Sequence, residues 1–253
     1  MSDIWAPLDT EFDAWRAADL RLPFWWRDDD AYHVTPELAQ LNALSEQTGV
    51  DVYLAVIPSK LQPDLPSYVA NHNNLLPVTH GYAHQDHTPA GVKKCEFASD
   101  REDDAVTREL QEGLRLMEEG FGANFVPMFV PPWNRFGNDH KFKLKTLGYK
   151  GFSTYGPRRN RWSKRGMEQI NTHVDPINWR GSRSLDEPSR IVARMVEQLT
   201  ARRLGQADNS EPYGYLTHHK AHDADIWAFS EELLKKFKGG PVDLWSAQDM
   251  AKR

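Results

Sequence analysis

Residues 80 to 87 read HGYAHQDH, which places three histidines and an aspartate in eight positions of a chain with 10 histidines in 253 residues. A solvated loop has no need of imidazoles, and a packed core excludes them unless each finds a partner. A metal ion explains the crowding. His80 and His84 are four apart, so one turn of chain can bring both rings to a common ion. The run Asp28-Asp29-Asp30 follows the apolar stretch Phe24-Trp25-Trp26, and His218-His219 follows Tyr215-Leu216-Thr217. Taken alone, three aspartates are more often a solvated turn, and a histidine pair is often plain surface. Together they form a set. His80, His84 and one aspartate leave a divalent ion with open coordination positions. Zinc is the first expectation, and nickel, cobalt, iron or manganese suit the same ligands. Such an ion polarises a carbonyl and makes water more acidic. A second carboxylate could then accept the water's proton and a histidine opposite could protonate the leaving group.

These residues are far apart in sequence, so a fold must gather them. Short β-branched or aromatic runs are expected as strands at 23–27, 51–57, 75–79, 125–130, 151–155, 170–174, 213–217 and 242–245. Helical patterns occupy 36–47, 103–120, 140–148, 188–203 and 224–237, with Pro36 and Pro188 suited to first turns and Gly49, Gly120, Gly148 and Gly205 to their ends. Strand and helix alternate, which indicates βα units around a parallel sheet. The Gly-rich phosphate loop of an open dinucleotide-binding sheet is missing, so a closed α/β barrel is expected. The polar clusters all fall after apolar runs, at the strand ends where barrel enzymes carry their sites. One domain spanning residues 1 to 253 is expected, with loops at 58–74, 85–100 and 156–187 as additions to it.

The whole-chain balance narrows the classes. The formal charge is −5, with basic and acidic residues interleaved, which argues against nucleic acid as a partner. The basic cluster RRNRWSKR at 158–165 reads first as a solvated loop and second as an anion site. A single cysteine, Cys95, rules out an intrachain disulfide framework and a thiolate zinc site. Neither a signal peptide nor a membrane span is evident, so a cytoplasmic protein with no membrane partner is expected. The sequence leaves the oligomeric state open.

WRDDD, HGYAH, VPPW and YLTHH, in this order, resemble the motifs of the polysaccharide deacetylase (NodB-type) family of carbohydrate esterases. The resemblance runs over roughly residues 22 to 246. It implies a distorted (β/α)7 barrel that removes N- or O-acetyl groups with a divalent metal. Carried over residue by residue, it makes Asp28 the general base and Asp29 the metal ligand beside His80 and His84; the triple aspartate leaves Asp30 open by a shift of one. His218 becomes the general acid, with His219 the alternative. Trp133, after Pro132, walls the substrate pocket, and Arg135 and Trp179 join it.

Two positions depart from the family pattern. Val130 stands where an arginine steadies the catalytic aspartate, and Arg27 or Arg135 is expected to substitute. The later acidic motif reads Asp175-Pro176-Ile177-Asn178-Trp179, so Asn178 replaces the carboxylate that tunes the catalytic histidine. The leading expectation is a metal-dependent hydrolase deacetylating a sugar or a related amide. A carbohydrate- or metal-binding protein that has lost catalysis is the alternative, and cleavage of another C–N bond is a third reading. His87 is expected in a loop rather than on the ion. Asp223 is expected to cap the helix that follows it.

Overall fold

The computed structural model describes residues 3 to 250. Nine strands, β1 (Leu22–Ala31), β2 (Val52–Val56), β3 (Leu75–His80), β4 (Met128–Val130), β5 (Gly151–Phe152), β6 (Trp162–Lys164), β7 (Met167–Gln169), β8 (Tyr213–Thr217) and β9 (Val242–Leu244), form one sheet among the described residues. The helices are α1 (Ala6–Ala17), α2 (Pro36–Thr48), α3 (Asp64–Val69), α4 (Asp103–Phe121), α5 (Lys141–Leu147), α6 (Pro188–Arg203) and α7 (Ala224–Gly239). Parallel pairing runs β8-β1-β2-β3-β4-β5-β7, and only β6 is antiparallel. Beyond β7, isolated parallel bridges join Tyr155 to Thr172 and Val174 to Tyr215. The stretch 167–174 therefore links β5 to β8 and draws the sheet into a distorted seven-membered (β/α) barrel. Its irregularity explains why the expected strands at 151–155 and 170–174 survive only in part.

Alternation along each strand decides what reaches the barrel interior. Trp25, Tyr53, Ala55, Val78, Met128 and Val130 pack with Ile170 in an inner cluster. Their neighbours Phe24, Trp26, Val52, Leu54 and Val56 pack outward with Leu38 and Leu41 of α2 and Leu234 and Phe237 of α7. Phe129 belongs to a third cluster with Val106 and Leu110 of α4 and Leu144 of α5. On this parity Arg27 and Asp29 follow Trp25 inward, Asp28 follows Trp26 outward, and His80 follows Val78 inward.

β1 runs four residues past the expected 23–27, so the aspartates lie within the strand rather than after it. The extension contains a β-bulge: Asp28 pairs with Leu54 but Ala31 with Val56, three steps against two. Asp30 sits in the bulge at φ 77°. Three other features differ from expectation. Helix α1 was not anticipated; it packs on α6 and buries Leu8, Phe12 and Trp15. The 58–74 loop contains α3, and the 156–187 loop contains the β6–β7 hairpin. In the basic cluster, Arg158 is buried and bound to Asp208, Glu168 and Ser210, so that guanidinium is structural. None of the helices among the described residues is long and apolar enough to cross a membrane.

Candidate active site

Asp30, His80 and His84 form a three-residue group whose ligand atoms lie within 4.8 Å of one another. Asp30 Oδ1 stands 3.2 Å from Nε2 of His80 and 3.2 Å from Nε2 of His84. His80 Nδ1 lies 3.1 Å from the Val130 carbonyl, an acceptor only, so Nδ1 carries a proton and Nε2 is the nitrogen turned to the carboxylate. Asp30 Oδ1 is buried, and among the described residues nothing but these two imidazoles faces it as a donor. Two imidazoles and a carboxylate converging on one point are a donor set that fits a divalent ion. Burial lowers the pKa of His80, but the charge of Asp29 and the bond and charge of Asp30 outweigh it and leave it raised. Burial raises that of Asp30, yet His80, then His218 and His84, bring it below the usual carboxylate range.

The three aspartates have three different surroundings. Asp30, rather than Asp29, joins the two histidines, because the bulge turns a residue of outward parity back toward the barrel. Asp29 points inward and pairs with Arg27, Nε to Oδ1 at 2.9 Å and Nη2 to Oδ2 at 3.0 Å. Its Oδ2 is 4.0 Å from Nε2 of His218. Asp28 points out of the barrel and is fully buried against Thr217 and His219. It does not reach the cluster, so Asp29 is the carboxylate that lies beside it, 4.0 Å from His218. Of the run, it is therefore Asp30, the position a shift of one leaves open, that stands with the two histidines.

Of the two arginines expected to substitute at the Val130 departure, Arg27 is the one paired with an aspartate of the run. Besides Asp29 it donates to Ser153 Oγ and to Asn134 Oδ1, both at 2.8 Å. Arg135 is used elsewhere and donates to the Lys94 carbonyl. His218 has the Trp179 ring edge-on at 4.8 Å. Asp175 accepts from Trp179 Nε1 at 2.7 Å and from the Ile177 amide. Burial raises the Asp175 pKa, opposed by the charge of His218. Asn178 lies in its own turn, its amide donating to the Ser184 carbonyl and its side chain against Gly181. His219 turns away from the cluster to Asp28. His87 contributes its backbone to the loop, donating to the Cys95 carbonyl. Asp223 caps α7 through the Ile226 amide, as expected.

Trp133 lies 4.5 Å from His84, ring to ring, and so walls the cluster beside the buried Pro132. The backbone around the site is unusual. Asp30, His84, Trp133 and Asn134 all have φ between 53° and 77°, in the left-handed region that non-glycine residues seldom enter. Four residues that hold this geometry carried no sequence signal. Glu96 accepts from the amides of Tyr82 at 3.1 Å and Ala83 at 2.6 Å, and so clasps the loop bearing His84. Asn134 and Ser153 anchor Arg27. Lys220 donates to the Asp30 carbonyl at 2.8 Å with its ammonium over the Tyr32 ring, which steadies the bulge.

No family model and no curated protein matches the sequence. Solved structures do match. A protein from Mycobacterium smegmatis assigned as a polysaccharide deacetylase aligns with TM-score 0.61 at 14% identity, over 85% of this chain and 76% of that one. The fold is that of the polysaccharide deacetylases. A family 4 carbohydrate esterase from Streptomyces lividans, in complex with acetate, aligns with TM-score 0.55 at 13% identity over 90% of this chain and 94% of the other. A peptidoglycan deacetylase from Bacillus subtilis aligns with TM-score 0.53 at 11% identity over 92% and 91%. The deacetylase fold agrees with the resemblance carried by WRDDD, HGYAH, VPPW and YLTHH.

Proposed function

We propose that this protein is a metal-dependent deacetylase, hydrolysing an acetyl amide or ester on a saccharide or a related small molecule. The observation that carries the reading is the Asp30, His80 and His84 cluster with Asp29 on one side and His218 beside it. Asp30, His80 and His84 would hold one divalent ion, zinc in the first instance. When bound, such an ion polarises an acetyl carbonyl and makes water more acidic.

The remaining steps belong to the chain. Asp29, fixed by the two-pronged Arg27 pair, accepts a proton from the attacking water. His218 Nε2 donates a proton to the departing amine or alcohol, and the Trp179 edge limits the ring's movement. Trp133 supplies an apolar wall for the acetyl group or the sugar face. Arg27 in place of the family's arginine favours an active enzyme over a binding protein that has lost catalysis.

The test is acetate release from a panel of N-acetylated and O-acetylated sugars. The purified protein is assayed after chelation and again after zinc is restored. Zinc-dependent release from at least one substrate is expected. A protein that binds zinc stoichiometrically yet releases acetate from none would contradict the reading.

A further inference from the structure

We infer that Asp28 and His219 form a buried clamp that positions His218, so that the first aspartate of the run serves the proton donor and not the ion. This inference rests on the deacetylase reading above. His218 lacks an anchor of its own: its Nδ1 is buried without a hydrogen-bond partner. Both oxygens of Asp175, the neighbouring acid, are engaged by Trp179 and Ile177. With only the Trp179 ring against it, the side chain takes its direction largely from the backbone that carries it, whose own amide faces His222 Nε2 at 3.4 Å and which is gripped on both sides.

Asp28 Oδ2 accepts from Thr217 Oγ1 at 2.6 Å and from the His219 amide at 2.9 Å, the residues that flank His218. Asp28 Oδ1 is bonded to His219 Nδ1. Thr217 Oγ1 in turn accepts from Trp26 Nε1 at 2.8 Å, which commits its proton to Asp28. Asp28, Thr217 and His219 are each 0% exposed. The carboxylate comes from β1, which also carries Asp29 and Asp30. One strand thus sets the carboxylates of the site and, through Asp28, the backbone of the acid. Asp28 and His219 act through His218 and are positioning residues.

The experiment compares Asp28→Asn and His219→Gln with wild type by zinc stoichiometry and by kinetics on two substrates. One is an N-acetyl sugar found active in the panel, whose amine must be protonated as it leaves. The other is 4-nitrophenyl acetate, whose leaving group needs little help. Full zinc occupancy is expected in both variants. On the N-acetyl sugar kcat should fall about 10- to 100-fold, the scale of a misplaced catalytic group, with KM little changed. The rate on 4-nitrophenyl acetate should stay within about two-fold, because proton donation contributes little there. Loss of zinc, an equal fall on both substrates, or an unaltered N-acetyl rate would overturn the clamp. If Asp28→Asn does not fold, His219→Gln decides by the same criteria. A wild type that neither binds zinc nor releases acetate would fail the deacetylase reading itself, and the clamp with it; an active wild type with the wrong pattern in the variants fails the clamp alone.

Discussion

Asp29 and His218 face each other across 4.0 Å, Oδ2 to Nε2. That gap separates a carboxylate held by arginine from an imidazole with its outer nitrogen free of protein hydrogen bonds. Under the proposed deacetylase reading these two groups would serve one substrate as base and acid. The neighbouring Asp30 turns instead to His80 and His84. Two adjacent side chains take different partners because the bulge at Asp30 breaks the alternation of the strand.

Glu96 should be needed for metal affinity although it touches no ion. Replacing it with alanine leaves the half-buried amides of Tyr82 and Ala83 without their acceptor. Each unsatisfied group costs about 1–3 kcal/mol. Because His84 rides on the same loop, zinc affinity should fall about 10-fold or more. Titration calorimetry with zinc, alongside urea unfolding, measures both effects; unchanged affinity would mean that the loop holds His84 unaided.

Gly81 is the tightest point of that loop. It has φ 62°, and a Cβ there would meet Glu96 Oε2 at 2.0 Å and the Pro132 ring at 2.6 Å. Gly81→Ala should destabilise by more than about 2 kcal/mol, through overpacking and the left-handed backbone together. Gly91→Ala is the control, since at φ 84° its Cβ would meet nothing within 4 Å. The control should cost only the backbone strain, about 1–2 kcal/mol. Equal urea midpoints for the two variants would contradict the packing described here.

Arg27 should be intolerant even of lysine. Arg27→Met leaves Asp29 buried and unpaired, a loss of about 3–5 kcal/mol. Arg27→Lys keeps a charge but cannot reproduce the fork to Asp29 with bonds to Ser153 and Asn134. It should recover part of the stability while turnover stays at least about 10-fold down. Full turnover in Arg27→Lys would show that Asp29 needs a charge nearby and no fixed geometry.

His222 should make the fold acid-sensitive. Burial, against the pull of Asp28, depresses its pKa to about 4. The unfolded chain therefore binds a proton near pH 6.5 that the folded protein refuses until about pH 4. Its contribution to stability is present above pH 6.5 and is lost as the pH falls toward 4, by at most about 3 kcal/mol. Urea unfolding of His222→Gln across this range should show a shallower pH dependence than wild type. An identical slope would mean that other groups account for it.

Much of this was legible in the sequence where the signal was local. HGYAH places its two histidines within one turn of each other, and His80 and His84 are together in the structure. The helices with good caps, such as the Thr35 cap of α2, stand within a residue or two of expectation. The aspartate register was not legible, because period-2 alternation sends Asp28 and Asp30 the same way until the bulge reverses Asp30. Aspartate tolerates a positive φ, but nothing in DDD announces which of the three adopts it. Glu96 and Asn134 act across the chain on backbone amides and on Arg27, contacts that leave no periodic trace. Helix α1 does carry a signal in the sequence, Leu8, Phe12 and Trp15 at helical spacing after Pro7.

The most direct test of the account is a paired measurement on Asp29→Asn and Asp30→Asn, with zinc stoichiometry and acetate release determined on the same preparations. Asp30→Asn should lose both the ion and turnover. Asp29→Asn should keep one zinc per chain and lose turnover by about 10²–10⁴-fold, the usual contribution of a positioned base. Asp29→Asn without zinc beside Asp30→Asn with it would contradict the assignment of ligand and base.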